Sequence, residues 1–198
     1  PWLTGHGGWV FDETLTPPVP DLGSPEMVAA LQFAHDLRYV EGILPLGPLD
    51  YVLADTMFKN GEAAMIINGD WALADYISYF GSDLGIAMLP LVSDTSLWPE
   101  PMTSGKFFYF SANSSGPELD ANKLFVQFAS TKTEQLVWAN ENILPALQAA
   151  FDDPLVQMDP ILQASADQAA IGRLMPVSPE MICVWDAISE PLVTLMED

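Results

Sequence analysis

Residues 57–73 read MFKNGEAAMIINGDWAL, and this stretch decides how the fold is interpreted. Residues 51–59, which lead into it, carry apolar side chains at helical spacing, and Gly61 follows where helices commonly end in a left-handed residue. Residues 63–67 are a short continuous apolar run, which predicts a strand covered on both faces. We therefore expect a helix, a buried strand and a corner in direct succession.

The corner puts a large aromatic ring at the start of a second helix. Asn68 and Gly69 favour a turn because both residue types tolerate positive φ. Asp70 can cap the next helix by accepting hydrogen bonds from its first N–H groups, which places Trp71 at the first helical position. Open α/β sheets bind ligands at such corners, so Trp71 is a candidate ligand-binding residue. The alternative is a core position, since tryptophan is mostly buried.

The order of these pieces resembles the signature of the extracellular solute-binding proteins of sugar ABC transporters. The resemblance rests on the helix, Gly-Glu-Ala-Ala-Met at residues 61–65, the apolar strand, and Asn-Gly-Asp-Trp at residues 68–71. In that family the tryptophan of this motif lies in the ligand cleft and stacks on a sugar ring. The resemblance implies this role for Trp71, with Asn68 and Asp70 as neighbouring binding candidates.

A second match to the family covers residues 172–181, GRLMPVSPEM, which lead into a helix that Ser178 is expected to cap. Trp185 in that helix matches a position that supplies a second stacking ring in maltodextrin binders, whereas its helical spacing alone indicates an ordinary core face. Two departures stand nearby. Ser189 occupies the position of a sugar-contacting arginine in maltose-binding members, and Pro191 is expected to kink the helix.

Two further segments match the family more loosely. Gly8 lies in a Gly-Gly-Trp segment like the one that enters the C-terminal lobe. Gly105 and Lys106 begin a β-prone run, residues 105–112, like the glycine-led strand that crosses between lobes. The resemblance makes Gly8, Gly105 and Lys106 possible cleft residues, although an exposed lysine is more often only a surface charge.

The resemblance implies an α/β fold, specifically a helix-rich fragment of the two-lobed type II periplasmic-binding-protein fold. Residues 1–104 would belong to the C-terminal lobe, residues 105–150 would cross to the N-terminal lobe, and residues 151–198 would return. The N-terminal half of the parent protein would be absent.

Local chemistry predicts several other elements. Helices are expected after Ser24 and Thr131, which can cap them, and at Pro117, which suits a first turn. Residues 84–90 predict a further buried strand, and residues 43–49 predict a loop rich in proline and glycine.

Composition excludes some classes of partner. The chain carries 27 acidic and 6 basic side chains, a net charge of −21, which rules against nucleic acid because phosphate binding needs clustered Lys and Arg. Cys183 is the only cysteine, so no intrachain disulfide can form, and its apolar setting predicts a small buried side chain. No apolar run is long enough to span a bilayer.

By resemblance, the protein would bind a mono- or oligosaccharide in an interlobe cleft and deliver it to the membrane permease of an ABC importer. It would act as a monomer in the periplasm or outside the cell, with or without a lipid anchor, and without cofactor, metal or catalysis. The alternatives are a glycan-active enzyme and a non-catalytic carbohydrate-binding module. Glycoside hydrolysis needs two carboxylates across the scissile bond, and no recognisable motif supplies them.

Overall fold

The computed structural model describes residues 1–46 and 50–197. Residues 47–49 of the predicted loop lie outside the described residues, as does residue 198 of the predicted return segment. The described α-helices are α1 (Trp2–Gly5), α2 (Pro25–Tyr39), α3 (Tyr51–Lys59), α4 (Leu73–Phe80), α5 (Gly116–Ala129), α6 (Lys132–Ala139), α7 (Gln148–Phe151), α8 (Pro154–Gln157), α9 (Pro160–Ala170) and α10 (Met181–Glu197). The described strands are β1 (Phe11–Asp12), β2 (Val19–Pro20), β3 (Met102–Thr103) and β4 (Arg173–Leu174).

The chain divides into two compact units, and it passes between them four times. The first unit contains Pro1–Ile66, Leu89–Thr103 and Ile171–Asp198, and the second contains Ile67–Met88 and Ser104–Ala170. The assignment of residues 1–104, 105–150 and 151–198 to lobes of a longer protein stays a prediction.

The first unit is built around a core that joins the beginning of the chain to α10. Its buried residues are Trp9, Val10, Phe11, Met181 and Val184. Strands β1 and β2 pair antiparallel, and β3 pairs parallel with β4, so that Met102 lies beside Arg173. Helix α2 packs against both α1 and α10. Residues distant in sequence therefore share one core.

The second unit is mainly helical. Its core comprises Ala139, Val156 and Leu162, against which Leu136, Leu144 and Phe151 pack. Gln135 is buried beside this core; its Nε2 donates to the Ala129 carbonyl at 3.2 Å, and its Oε1 accepts from the Ala146 N–H at 2.9 Å. This side chain links the end of α5 to the loop that follows α6.

The predicted helix starts are confirmed where a side chain can satisfy a free N–H. Ser24 Oγ accepts from Met27 N at 3.3 Å, and Thr131 Oγ1 accepts from Glu134 N at 3.5 Å. Gly61, after α3, adopts the predicted left-handed conformation with φ +74°. The prediction for Ser178 is wrong: its carbonyl accepts from Met181 N, and its Oγ is buried without a hydrogen bond among the described residues.

The three longer predicted strands are wrong. Residues 63–67, 84–90 and 105–112 form no strand, and the described strands are all elsewhere. Met65, predicted to be buried, is 86% exposed. A strand exists only when a neighbour supplies N–H and C=O partners, and no described segment pairs with these runs.

Helix α10 is less buried than its apolar spacing predicts. Met181 and Val184 are buried, whereas Ile182 and Val193 on its other side are exposed. Cys183 is exposed, so the prediction of a buried thiol is wrong, because the core contacts only one side of the helix here. The helix continues through Pro191.

Candidate functional site

Trp71 lies at a corner between an extended segment and α4. Asp70, Trp71 and Ala72 form one 3₁₀ turn that runs directly into the helix. Ala72 and Leu73 are buried beneath it, and the Trp71 side chain is 68% exposed. The corner was predicted from sequence, and the core position considered for Trp71 is excluded by its exposure, whereas its place in a ligand cleft stays a prediction.

The Trp71 ring lies against the backbone of Gly69. A Cβ atom added to Gly69 would come within 2.2 Å of Trp71 Cζ3. Gly69 has φ −89°, and Asn68 is not among the positive-φ residues, so the expected reason for a glycine here is wrong. A side chain is excluded at position 69 because the indole occupies its space.

Asn68 supports this corner through both ends of its amide. Its Oδ1 accepts from the Gly69 N–H at 2.8 Å, and its Nδ2 donates to Tyr76 Oη at 2.7 Å. Tyr76 belongs to α4 and is only 4% exposed. Sequence analysis missed Tyr76. The available signal was its place in the first turn of a helix, where side chains point back toward the helix N-terminus and so toward the corner.

Asp70 does not cap a helix, which corrects the prediction. Gly69 stands at the N-cap of the 3₁₀ turn, Asp70 is the first residue of that turn, and no side-chain cap hydrogen bond forms. Asp70 is exposed and immediately precedes Trp71 in the chain. A carboxylate next to an exposed ring provides a hydrogen-bond acceptor beside an apolar surface, which is a common composition for ligand sites.

Gly105 and Lys106 belong to the second unit, as the Trp71 corner does, but lie on a different segment. Both residues are exposed. A Cβ atom on Gly105 would stand 3.0 Å from Phe107 Cζ, so this glycine also has an aromatic ring close to its backbone. Phe107 was not predicted as a site residue.

Gly8 and Trp185 belong to the first unit. A Cβ atom on Gly8 would lie 2.5 Å from Leu3 Cδ1 and 2.8 Å from Glu26 Cβ, so the glycine allows α1 to pack on α2. Trp185 is 50% exposed, although the adjacent Val184 is buried. Their chain neighbours Trp9 and Val184 share one core cluster.

The two sequence motifs of the first unit meet in an interaction that sequence analysis also missed. The Arg173 guanidinium lies 4.1 Å from the centroid of the Trp9 ring, a cation–π geometry. Glu13 joins both residues: Trp9 Nε1 donates to Oε1 at 3.2 Å, and Arg173 Nη2 donates to Oε2 at 2.5 Å. The segment after Gly8 is thereby held to the segment before α10.

Three carboxyl groups elsewhere in the chain have a pKa below the ordinary value. Hydrogen bonds from Thr14 lower the pKa of Asp12. The pKa of Asp36 is lowered mainly by a hydrogen bond with His35 and then by one from Gln32. The pKa of Asp153 is lowered mainly by a hydrogen bond from Lys132 and then by one from the Leu155 N–H. Each shift favours the charged form. No group of three or more His, Cys, Asp or Glu in residues 1–46 and 50–197 is arranged to hold a metal ion. The corner offers an aromatic surface with polar groups beside it, which suits binding.

A family profile described as bacterial extracellular solute-binding protein matches residues 2–164. The chain belongs to this family. One curated relative is a maltotriose-binding protein of Pyrococcus abyssi (strain GE5 / Orsay); it is 28% identical, and the match covers 97% of this chain and 42% of that protein. Another is a galactooligosaccharide-binding protein of Bacillus subtilis (strain 168); it is 26% identical, and the match covers 98% of this chain and 47% of that protein. The chain therefore spans about half the length of these relatives.

Solved structures show the same relationship for the fold. A maltose/maltodextrin-binding domain from Bdellovibrio bacteriovorus, bound to maltotriose, matches 98% of this chain and 50% of that one, with a TM-score of 0.84 and 30% sequence identity. The predicted fold class, a helix-rich fragment of the periplasmic-binding-protein fold, is confirmed. The family description places this solute-binding protein outside the cytoplasm. None of the described helices has the length and apolar character needed to cross a bilayer.

Proposed function

We propose that this solute-binding protein binds an oligosaccharide, with Trp71 as a stacking surface, and delivers it to the permease of an ABC importer. The observation that carries the proposal is the exposed Trp71 ring, which lies on the Gly69 backbone and follows the exposed Asp70 in the chain. Sugars present apolar C–H faces between hydroxyl groups, and an indole with adjacent polar groups is complementary to that pattern. The relatives named for maltotriose and galactooligosaccharide binding support the choice of ligand class.

The remaining site residues belong to the same proposal. Asn68 and Asp70 contribute polar groups at the Trp71 corner. Trp185 is a second exposed ring in the first unit, and Gly8, Gly105 and Lys106 are further candidate contacts. The proposed protein is a monomer in the periplasm or outside the cell, anchored by lipid or not, and it needs neither cofactor nor metal.

Substitution of Trp71 tests the proposal. Because the ring is mostly exposed, Trp71→Ala should leave the urea midpoint of the full-length protein almost unchanged, whereas a buried tryptophan would cost about 3–5 kcal/mol. Isothermal titration with maltotriose and with galactooligosaccharides should show an affinity loss of tenfold or more, about 1.4 kcal/mol. Trp98→Ala, which removes an exposed tryptophan of the first unit, is the control. Normal affinity in Trp71→Ala would exclude a stacking role.

The ligand class is tested by thermal shift. A ligand that binds only the native state raises the unfolding midpoint, so an oligosaccharide from the panel should raise it in the wild-type protein. A phosphorylated or acylated ligand that raised the midpoint when no saccharide did would contradict the proposal.

The enzyme alternative is tested with the same saccharides. Incubation with the full-length protein should release no reducing ends. Hydrolysis that disappeared on substitution of a single carboxylate would favour a glycoside hydrolase instead.

A further inference from the structure

We infer that Tyr76 is a positioning residue, which fixes the Trp71 ring through Asn68. The inference rests on the proposed saccharide function for the importance of the ring, but the geometry stands independently of it. The contact that carries the inference is the hydrogen bond from Asn68 Nδ2 to Tyr76 Oη, through which Tyr76 acts on the amide that holds the turn.

The Tyr76 phenol oxygen provides a fixed anchor for the Asn68 side chain. Tyr76 is almost completely buried on α4, so the helix determines where its phenol oxygen lies. Asn68 Nδ2 donates to this oxygen at 2.7 Å, a short distance for a hydrogen bond between neutral groups. One end of the Asn68 amide is therefore tied to the helix.

The Asn68 amide transmits this restraint to the Gly69 backbone. With Nδ2 directed at Tyr76, Asn68 Oδ1 accepts from the Gly69 N–H at 2.8 Å. An amide rotated by half a turn would point its NH₂ group at that N–H and lose the hydrogen bond, since both groups are donors. The Asn68 side chain thus holds the Gly69 peptide in one orientation.

The Gly69 backbone in turn contacts the indole. The ring atoms Cζ3, Cη2 and Cε3 of Trp71 lie 2.2, 2.3 and 2.4 Å from the position of a Cβ on Gly69. The six-membered part of the indole therefore rests on this peptide, and the Trp71 side chain remains 68% exposed. A ring held in place before binding loses less conformational freedom when a ligand stacks on it.

The position of the ring is measured by ¹⁹F NMR of the full-length protein labelled with 5-fluorotryptophan. The Trp71 resonance is the one that disappears in Trp71→Phe. In Tyr76→Phe, which keeps the buried ring and removes only the oxygen, we expect this resonance to shift or broaden while the other tryptophan resonances stay unchanged. Tyr79→Phe is the matched control, because it removes a phenol oxygen from an exposed residue of the same helix.

A double-mutant cycle tests whether Tyr76 acts through Asn68. Asn68→Ala should perturb the Trp71 resonance at least as strongly as Tyr76→Phe, and the double variant should match Asn68→Ala alone. An unchanged Trp71 resonance in Tyr76→Phe would overturn the inference. So would additive effects in the double variant, or equal perturbation of all the tryptophans, which would indicate general loosening of the fold.

Saccharide titration separates this inference from the proposed function. Tyr76→Phe should weaken binding by about two- to tenfold, the range that one neutral hydrogen bond commonly carries. If the resonance moves and wild-type binding of every saccharide is absent, the positioning role stands and the proposed function fails. If the resonance does not move, the positioning role fails whatever the affinity.

Discussion

At the scale of single residues, the Trp71 corner depends on a glycine for a steric reason and not for a conformational one. Gly69 has an ordinary negative φ, which any residue can adopt, yet the indole occupies the space of its missing side chain. The same sequence, Asn-Gly, would suit a turn with positive φ. Sequence alone cannot separate the two reasons, since both select glycine.

Gly69→Ala should therefore displace the Trp71 ring without straining the backbone. We expect saccharide affinity to fall tenfold or more, about 1.4 kcal/mol, with a small change in the urea midpoint, because the displaced ring moves into solvent. Gly85→Ala is the control, since a Cβ there meets no atom within 4 Å. Equal affinities of the two variants in isothermal titration would show that the ring's contact with Gly69 is unimportant for binding.

The position of the Trp71 corner, the candidate site, was predictable from sequence because its signal is local. Trp71 was identified because it follows a turn in a recognisable motif, and the structure exposes it. Tyr76 and Arg173 were missed as supporting residues, since each acts on a residue from another turn or segment. Which residue partners which depends on tertiary packing, and a single sequence does not encode that in any local pattern.

At the scale of elements, helix starts were predictable because their signals are local, whereas strands were not because they depend on distant partners. Ser24 and Thr131 cap α2 and α6 as predicted, because a helix start is satisfied by a side chain three residues away. Residues 63–67 and 105–112 have strand-like composition but no paired neighbour among the described residues. The residue types in these segments suit the surface of a sheet, but a sheet forms only when a second strand pairs with them.

The start of α6 is joined to that of α8 by an ion pair whose strength should depend on pH. Lys132 Nζ lies 2.7 Å from Asp153 Oδ2, and this hydrogen bond is the main reason that the pKa of Asp153 is lowered. A depressed folded-state pKa adds stability above the unfolded-state value and loses it as the pH falls through the folded-state value. We expect the contribution of Asp153 to be complete at neutral pH, to decrease as the pH falls below the ordinary pKa of 3.8, and to vanish below the lowered folded-state pKa.

Asp153→Asn isolates this ion pair, since asparagine can still cap α8 through Leu155 N. Urea unfolding of wild type and variant should differ at neutral pH and converge in acid. Asp120→Asn serves as the control, because Lys123 is 3.8 Å from Asp120 and both side chains are well exposed. A difference for Asp153→Asn that stayed constant with pH would assign its effect to something other than the charge.

At the scale of the whole molecule, the net charge of −21 affects both the stability of the folded state and the solubility of the protein. Like charges repel one another more strongly in the compact state, so self-repulsion opposes folding while keeping the protein soluble. Salt shortens the range of this repulsion, with a Debye length of about 10 Å at 0.1 M ionic strength.

The thermal midpoint should therefore rise with salt. We expect a rise of a few degrees between low and high ionic strength, and about 2–4 °C corresponds to 1 kcal/mol for a chain of this size. Scanning calorimetry in sodium chloride and in potassium chloride should give the same rise, since screening depends on charge and not on the identity of the ion. A midpoint that fell with either salt would show that attractive charge pairs outweigh the repulsion.

The core of the first unit combines residues that are synthesised at very different times. Trp9, Val10 and Phe11 pack against Met181 and Val184, which leave the ribosome much later. At about 5–20 residues per second, that delay is roughly 10–30 s. The continuous part of the second unit, Ser104–Ala170, emerges within the interval and can fold first. The core residues made earliest thus stay uncovered longest, and their exposure to chaperones and to aggregation ends only when α10 arrives.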